Sequence, residues 1–322
     1  MSQPATAPKP CRVVVALGGN AITRPGDDDS VRQDYLNLER SLSSVTRLVE
    51  QGYQVVLTHG NGPQVGNQMI RVELAFAQGQ APDLPLDLMV ANLEGGLGYM
   101  IELVLRNKLR RLGQERPVCG VLTLVEVDPD DPALEQPSKF VGPAYEEKEV
   151  KKLEDERGWR LREDRARGWR RVVPSPDPRA IVESEPIQTL VDAGALVIAA
   201  GGGGVPVAWT AGTLRGIEGV IDKDLAAAVL GHDVGAQELY VLTAVERVCL
   251  DFGTEMERGV SRLTVAEARR HLADGQFPPG SMGPKMEAAC RFIEKGGKRA
   301  LITDIFTLTE AREGKTGTWI VP

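Results

Sequence analysis

Cysteine and histidine are both sparse in this 322-residue chain, with four of the first and three of the second. Cys11, Cys119, Cys249 and Cys290 stand far apart without a C-x-x-C pair. In a chain of this size that excludes a disulfide framework and leads to an expectation of buried free thiols in a reducing compartment. His59, His232 and His271 are too scattered to suggest a metal cluster. Positive charge is not in excess: 38 Lys+Arg against 45 Asp+Glu leave a formal charge of −7. Affinity for nucleic acid comes mostly from basic residues neutralising phosphates, so a general nucleic-acid binder is excluded. The polar, Pro-rich residues 1–10 lack the apolar core of a signal peptide. No uncharged apolar stretch approaches the ~18 residues needed to cross a bilayer. The expectation is a cytoplasmic protein with neither a membrane nor a nucleic acid as partner.

What is present is aliphatic and rich in glycine, with 42% hydrophobic residues, 35 Gly and only 5% aromatics. The length suits one large α/β domain or two medium ones. Apolar, strand-like runs at 12–17, 54–58, 118–127, 196–200, 238–242 and 299–303 alternate with helical spacing near 36–52, 64–78, 86–112, 185–193, 222–230, 264–273 and 284–295. Such alternation predicts a parallel sheet covered on both faces. The texture changes between. Residues 128–143 are rich in Pro and acid, and 18 of the 26 residues in 146–171 are charged, 8 acidic and 10 basic. This region, about 127–182, is expected to form a small subdomain inserted in a domain spanning 11–322, after a flexible tail at 1–10.

Three strands end in glycine turns: Gly18-Gly19-Asn20, Gly60-Asn61-Gly62 and Gly201-Gly202-Gly203-Gly204. Ligands of open parallel sheets gather beyond the carboxyl ends of the strands, where glycine lets backbone N–H groups approach an anion. One such turn is as readily structural as functional; three at one sheet edge suggest a polyphosphate site. The familiar nucleotide motifs are absent. Gly60 to Gly66 is one residue too long for G-x-G-x-x-G, and Thr309 stands where a P-loop ending in Gly314-Lys315-Thr316 needs glycine. Lys315 is expected on the solvated surface.

Three other lysines stand out. Lys139 lies in a loop that needs no charge for packing, Lys223 stands between Asp222 and Asp224 at a helix start, and Lys285 opens another helix. Any one of them could be ordinary surface. A cation at a helix start opposes the helix dipole unless an anion is near, which tilts Lys223 and Lys285 toward phosphate. The run Arg157 to Arg171, with Trp159 and Trp169, could be a nucleic-acid arm, but its interleaved acids favour a solvated face. His59 shows no partner for a general base and reads as a hydrogen-bonding loop residue. Ser281 lacks the G-x-S-x-G elbow of a hydrolase.

At these residues the sequence resembles the carbamate kinases of the amino-acid kinase superfamily, across nearly all of 12–321. The carrying segments are Ala16-Leu-Gly-Gly-Asn-Ala21, Thr58-His-Gly-Asn-Gly-Pro-Gln-Val-Gly66, Pro137-Ser-Lys-Phe-Val-Gly-Pro143, Ala199-Ala-Gly-Gly-Gly-Gly204, Val220-Ile-Asp-Lys-Asp224, Leu242-Thr-Ala-Val-Glu246 and Gly280-Ser-Met-Gly-Pro-Lys285. The resemblance implies a three-layer α/β/α sandwich around a mostly parallel eight-stranded sheet, with a small protruding subdomain and a homodimer. It implies reversible phosphoryl transfer between ATP and carbamate, giving ADP and carbamoyl phosphate, with Mg²⁺ carried by the nucleotide. Gly18, Gly19, Asn20, Gly60, Asn61 and Gly62 would hold carbamoyl phosphate and the transferring group. Lys139, Lys223 and Lys285 would meet phosphates and Asp224 would orient lysines. Gly201, Gly202, Gly203, Thr243, Ala244, Val248 and Met282 would line the nucleotide side. One departure stands in Asn92-Leu-Glu-Gly-Gly-Leu-Gly-Tyr99, where Glu94 replaces a neutral glutamine. Facing the substrate, its charge would favour a different small carboxylate acceptor; facing a dimer interface or a lysine, which is the expectation, it changes nothing. A nucleotide or carbamoyl-phosphate sensor without turnover would lack one of Lys139, Lys223, Asp224 or Lys285, and all four are present.

Overall fold

In the computed structural model, which describes residues 10–24, 26–28, 30–164 and 168–322, alternate side chains of the strand Arg12–Leu17 serve two separate cores. Val13, Val15 and Leu17 point to one face, Val14 and Ala16 to the other, and all five are fully buried. The strand reads as an unbroken apolar run because neither parity meets water. The first face packs against helices Val31–Ser41, Ser43–Glu50 and Leu86–Arg111. The second packs against Ser184–Asp192, Lys223–Asp233 and Met282–Glu294. Three layers result.

The sheet between them has eight strands, in the order Arg262–Thr264, Thr318–Val321, Arg299–Asp304, Glu238–Thr243, Arg12–Leu17, Gln54–His59, Leu196–Ile198, Val118–Gly120. Every pairing is parallel except that of Thr318–Val321 with Arg299–Asp304. This is the mostly parallel eight-stranded architecture expected. Leu17 pairs with Leu242 on one side and His59 on the other, so the strands reach their carboxyl ends along a common edge.

The stretch 118–127, expected as one strand, is two. Val118–Gly120 closes the main sheet, and Leu124–Val127 joins a second sheet with Val205–Thr210, Thr213–Gly216 and Pro178–Ile181. The break falls at 121–123 because Thr123 is committed elsewhere. Its hydroxyl oxygen accepts from the Ala200 amide at 2.9 Å and its own N–H goes to Glu94 at 3.2 Å, in place of ladder bonds.

Strands Lys139–Tyr145, Arg160–Asp164 and Gly168–Val173 form a separate antiparallel sheet with helix Glu147–Arg157. It rests on helix Gly62–Ala77, with Val141 beside Met69 in a third apolar cluster and the Tyr145 hydroxyl donating to Glu73 at 3.0 Å. Arg160 and Arg162 are exposed as expected of a solvated face, but three other arginines depart from it. The side chains of Arg157, Arg170 and Arg171 are only 10% to 16% exposed, paired with Asp83, Asp164 and Glu218 respectively. They lie over the rings of Phe76, Trp159 or Phe140 at 4.4 to 5.6 Å. A guanidinium is weakly hydrated and stacks on aromatic faces, which is why a charged run is drawn inward here. Arg165 and Arg167 lie outside the described residues.

Two smaller expectations also change. Cys290 alone is buried, while Cys11, Cys119 and Cys249 are half-buried; all four are free. Helix Leu86–Arg111, at 26 residues, is long and apolar enough by length and composition to cross a bilayer, although it carries Asp87, Glu94 and Glu102. Here its Leu97, Ile101 and Leu105 pack into the first core.

Candidate active site

The glycine turns are tied together by the strand register. The Gly18 amide donates to the Leu242 carbonyl at 2.9 Å, and the Gly60 amide to that of Leu17 at 3.0 Å. Each turn therefore starts on its neighbour's last carbonyl. Gly60 has little room for a side chain: a Cβ would lie 3.1 Å from the Gly19 amide nitrogen and 3.3 Å from the Lys223 stem. Gly202 has φ +69°, and a Cβ there would lie 2.0 Å from the Asn61 amide nitrogen. All three turns meet at one edge, where open α/β sheets take their ligands.

The lysines are set by one cap and one carboxylate. Asp222 caps helix Lys223–Asp233, its Oδ1 accepting from the Asp224 amide at 2.9 Å. Asp224 follows in the first turn, buried, with Lys223 Nζ on Oδ1 and Lys285 Nζ 2.9 Å from Oδ2. Burial alone would raise its pKa; the two ammonium groups outweigh that and hold it well below the usual aspartate value. Asp224 therefore stays ionised and orients both lysines. Lys139 comes from the separate small sheet, donating to the Ile221 carbonyl at 2.9 Å with Asp222 at 3.7 Å. Burial draws its ammonium below the ordinary lysine value, against the pull of Asp222 and Asp224.

Three cavities share Lys285. The first, about 250 Å³, is lined by Gly19, Gly60, Asn61, Gly62, Lys139 and Gly202, with Lys223 and Asp224 at its floor. The second, about 860 Å³, is lined by Thr243, Glu246, Cys249, Phe252, Ser281 and Met282. The third, about 540 Å³, lies between Gly18–Asn20, Ala244 and Phe306. Lys139, the adjacent Lys223 and Asp224, and Lys285, from three separate stretches of the chain, thus come together.

The nucleotide-side residues divide. Thr243 and Met282 line the second cavity and Ala244 the third, whereas Val248 is fully buried and lines none of the three. The glycine run lies elsewhere than expected. Gly202 faces the first cavity beside Asn61, while Gly201 and Gly203 are buried against His59, Glu94 and Ile221. Lys315 is 68% exposed, as a solvated residue should be, yet stands at the rim of the second cavity. Phe252, Cys249 and Ser281 were not singled out by the sequence for this cavity, because only the tertiary fold brings them to it.

Two buried ionisable groups lie beneath the turns. His59 is fully buried, its Nδ1 3.1 Å from the Gly60 carbonyl, and burial pushes its pKa down to about 4. It is neutral at pH 7 and has no route to a substrate, which fits a loop-bonding residue. Glu94 faces neither a lysine nor the surface. Its Oε1 accepts from the Gly201 amide at 2.9 Å and its Oε2 from the Thr123 amide at 3.2 Å. Burial pushes its pKa up to about 8, against the lowering effect of those two amide bonds. Glu94 is thus the prop of the glycine run and of the 121–123 break.

Residues 12–304 match the amino acid kinase family. The chain is 46% identical over 311 residues to the carbamate kinase of Pyrococcus furiosus, covering 97% of this chain and 99% of that one. It is 46% identical over 313 residues to the carbamate kinase of Pyrococcus horikoshii, covering 97% and 100%. The solved carbamate kinase of Giardia lamblia bound to AMP-PNP superposes with a TM-score of 0.90 at 38% identity, covering 97% of this chain and 99% of that chain. Coverage is near complete in both directions, so the likeness extends across the sheet whose strand ends carry the lysines and glycine turns. The chain belongs to the carbamate kinases, within the amino acid kinase family.

Proposed function

We propose that ATP:carbamate phosphoryl transfer in this enzyme is carried by Lys139, Lys223 and Lys285, with Asp224 as the residue that orients the last two. The observation that supports this most is the buried Asp224 holding two ammonium groups where three cavities meet. Phosphoryl transfer asks a protein mainly for positioning and charge neutralisation. Carbamate is already an anionic oxygen nucleophile, so no side-chain base is needed, in keeping with the neutral, buried His59. Carbamoyl phosphate occupies the first cavity, on the backbone of Gly19, Gly60, Asn61 and Gly62, with Gly18 and Asn20 beside it on the wall of the third. The nucleotide occupies the second, with its phosphates directed over Lys285. Lys223 stands between the two.

Bound with the nucleotide, Mg²⁺ would supply neutralisation of polyphosphate charge. The donor set fits that arrangement: Asp222 and Asp224, the carboxylates nearest the lysines, are committed to Lys139, Lys223 and Lys285. Glu94, spent on two backbone amides, supplies no reason for a different acceptor. The reading places the enzyme in the cytoplasm, where ATP is available. A homodimer is the proposed assembly, through the outward stripe of helix Leu86–Arg111, where Tyr99 is 63% and Leu103 38% exposed beside Leu36 of the neighbouring helix at 45%. The test is ATP formation from ADP with carbamoyl phosphate, compared with acetyl phosphate and other acyl phosphates. Preference for carbamoyl phosphate is expected; no turnover with it would overturn the reading.

A further inference from the structure

The third cavity has a cation that none of the assignments above uses. Arg24 follows the Gly18–Ala21 turn, and its guanidinium lies 4.7 Å from the centre of the Phe306 ring, just past the carboxyl end of strand Arg299–Asp304. It lines the cavity together with Gly18, Asn20, Lys223, Thr243 and Lys285. Its Nη2 is withdrawn from solvent and meets no hydrogen-bond partner. The contrast with the lysines is direct. Lys139, Lys223 and Lys285 share Asp222 and Asp224, whereas among the described residues no carboxylate lies within ion-pair reach of Arg24. A partly desolvated cation with an unused donor is costly unless an anion arrives, and a guanidinium is the side chain best shaped to fork onto phosphate oxygens.

We propose that Arg24 is a phosphate-binding residue of this enzyme, taking the polyphosphate tail of the nucleotide from the Phe306 side of the third cavity. The inference rests on the nucleotide position proposed above. Its place relative to the other cavities selects this ligand. The third cavity shares Thr243 and Lys285 with the nucleotide cavity and adds Ala244 from the same strand end. Of the acceptor-side residues, Lys139, Gly60, Asn61 and Gly62 line the first cavity alone, and only the Gly18–Asn20 turn, which lies between the two, reaches the third. Arg24 therefore adds charge where the leaving ADP carries it; the nearby Asp27 accepts from its backbone N–H and Asp304, which also lines the cavity, from the Phe306 amide, and neither forms an ion pair with the guanidinium. Phe306, about half exposed, gives the guanidinium a flat surface that holds it without neutralising it.

The experiment is calorimetric binding of ADP and of AMP to the full-length wild type, Arg24→Ala, Arg24→Lys and Lys285→Ala, with unliganded melting as the fold check. Arg24→Ala should weaken ADP by about 10-fold or more while AMP changes less than about twofold, and Arg24→Lys should recover part of the loss. ADP binding equal to wild type in Arg24→Ala would overturn the proposal. So would an equal loss of AMP and ADP, which would mean that Arg24 only props the loop, or a change confined to the KM for carbamoyl phosphate. Should Arg24→Ala fail to fold, Arg24→Gln keeps contact with Phe306 and loses the charge, and the same outcomes decide. Lys285→Ala tests the nucleotide position separately: if it binds ADP normally, that position fails whatever Arg24 does.

Discussion

The main body delivers two lysines and the small sheet at 139–173 one to the same cavity, and they hold them in different ways. Lys223 and Lys285 are fixed on a buried carboxylate at the start of a helix that packs into the second core. Lys139 is fixed only by a carbonyl and a more distant carboxylate, and its sheet meets the body through Tyr145–Glu73, Arg157–Asp83 and Arg171–Glu218. The body sets its charges before any substrate arrives. The small sheet sets its charge only as well as these polar contacts and the packing of Val141 and Val173 against Met69 and its neighbours hold it in place.

The largest effect expected is on the body side. Lys223→Ala or Lys285→Ala should lower kcat by about 10² to 10³, by analogy with the loss of one preorganised oxyanion donor. Near-wild-type turnover in a coupled ATP-formation assay would break the comparison at once. Lys139→Ala should cost about 10²-fold in kcat by the same argument, with the other two lysines still in place.

Next comes the prop beneath the glycine run. The pKa of Glu94 is raised in the folded protein from an ordinary glutamate value to about 8, so the folded state holds a proton that the unfolded state has released. Its contribution to stability is full below the unfolded pKa and is lost as pH rises through the folded one. From pH 6 to 8 that amounts to about 2 kcal/mol. The melting midpoint of wild type should fall over this window, and Glu94→Gln should flatten the fall. Parallel curves would show that Glu94 does not titrate there.

The smallest effect sharpens the comparison. Tyr145→Phe removes the hydroxyl that ties the Lys139 strand to Glu73. It should lower kcat about threefold and have no effect in a Lys139→Ala background, since both changes act through one lysine. A full additive loss would show that the contact serves something other than Lys139.

The main sheet was legible because its strands are β-branched runs buried on both faces and closed by glycine, as in Val13 to Gly18. The four proposed site residues stood out for a different reason: Lys139, Lys223, Asp224 and Lys285 fall in long segments that resemble a known family. What was not legible depended on contacts between distant segments. The run 118–127 reads as one strand until Thr123 is seen bonded to Ala200 and Glu94. Glu94 itself reads as a charge in search of a partner, and its partners are backbone amides, which no side-chain pattern records. Arg157, Arg170 and Arg171 read as solvated until their rings and carboxylates are assembled around them. The second cavity was legible at Thr243 and Met282, which fall in shared segments, but its Phe252 wall comes from a separate loop with no local signature.

The central place of Arg12–Leu17 bears on how this chain is made. One flank of that strand is covered by Gln54–His59, soon after it leaves the ribosome, but the other waits for Glu238–Thr243. For most of synthesis, a flat Val-Val-Val strand presents unpaired N–H and C=O groups to any neighbouring nascent chain. In the finished enzyme both flanks are closed. The hazard of cross-chain pairing at this strand therefore belongs to translation, and it should rise with the number of ribosomes on a message and fall when elongation through residue 243 is fast relative to collapse.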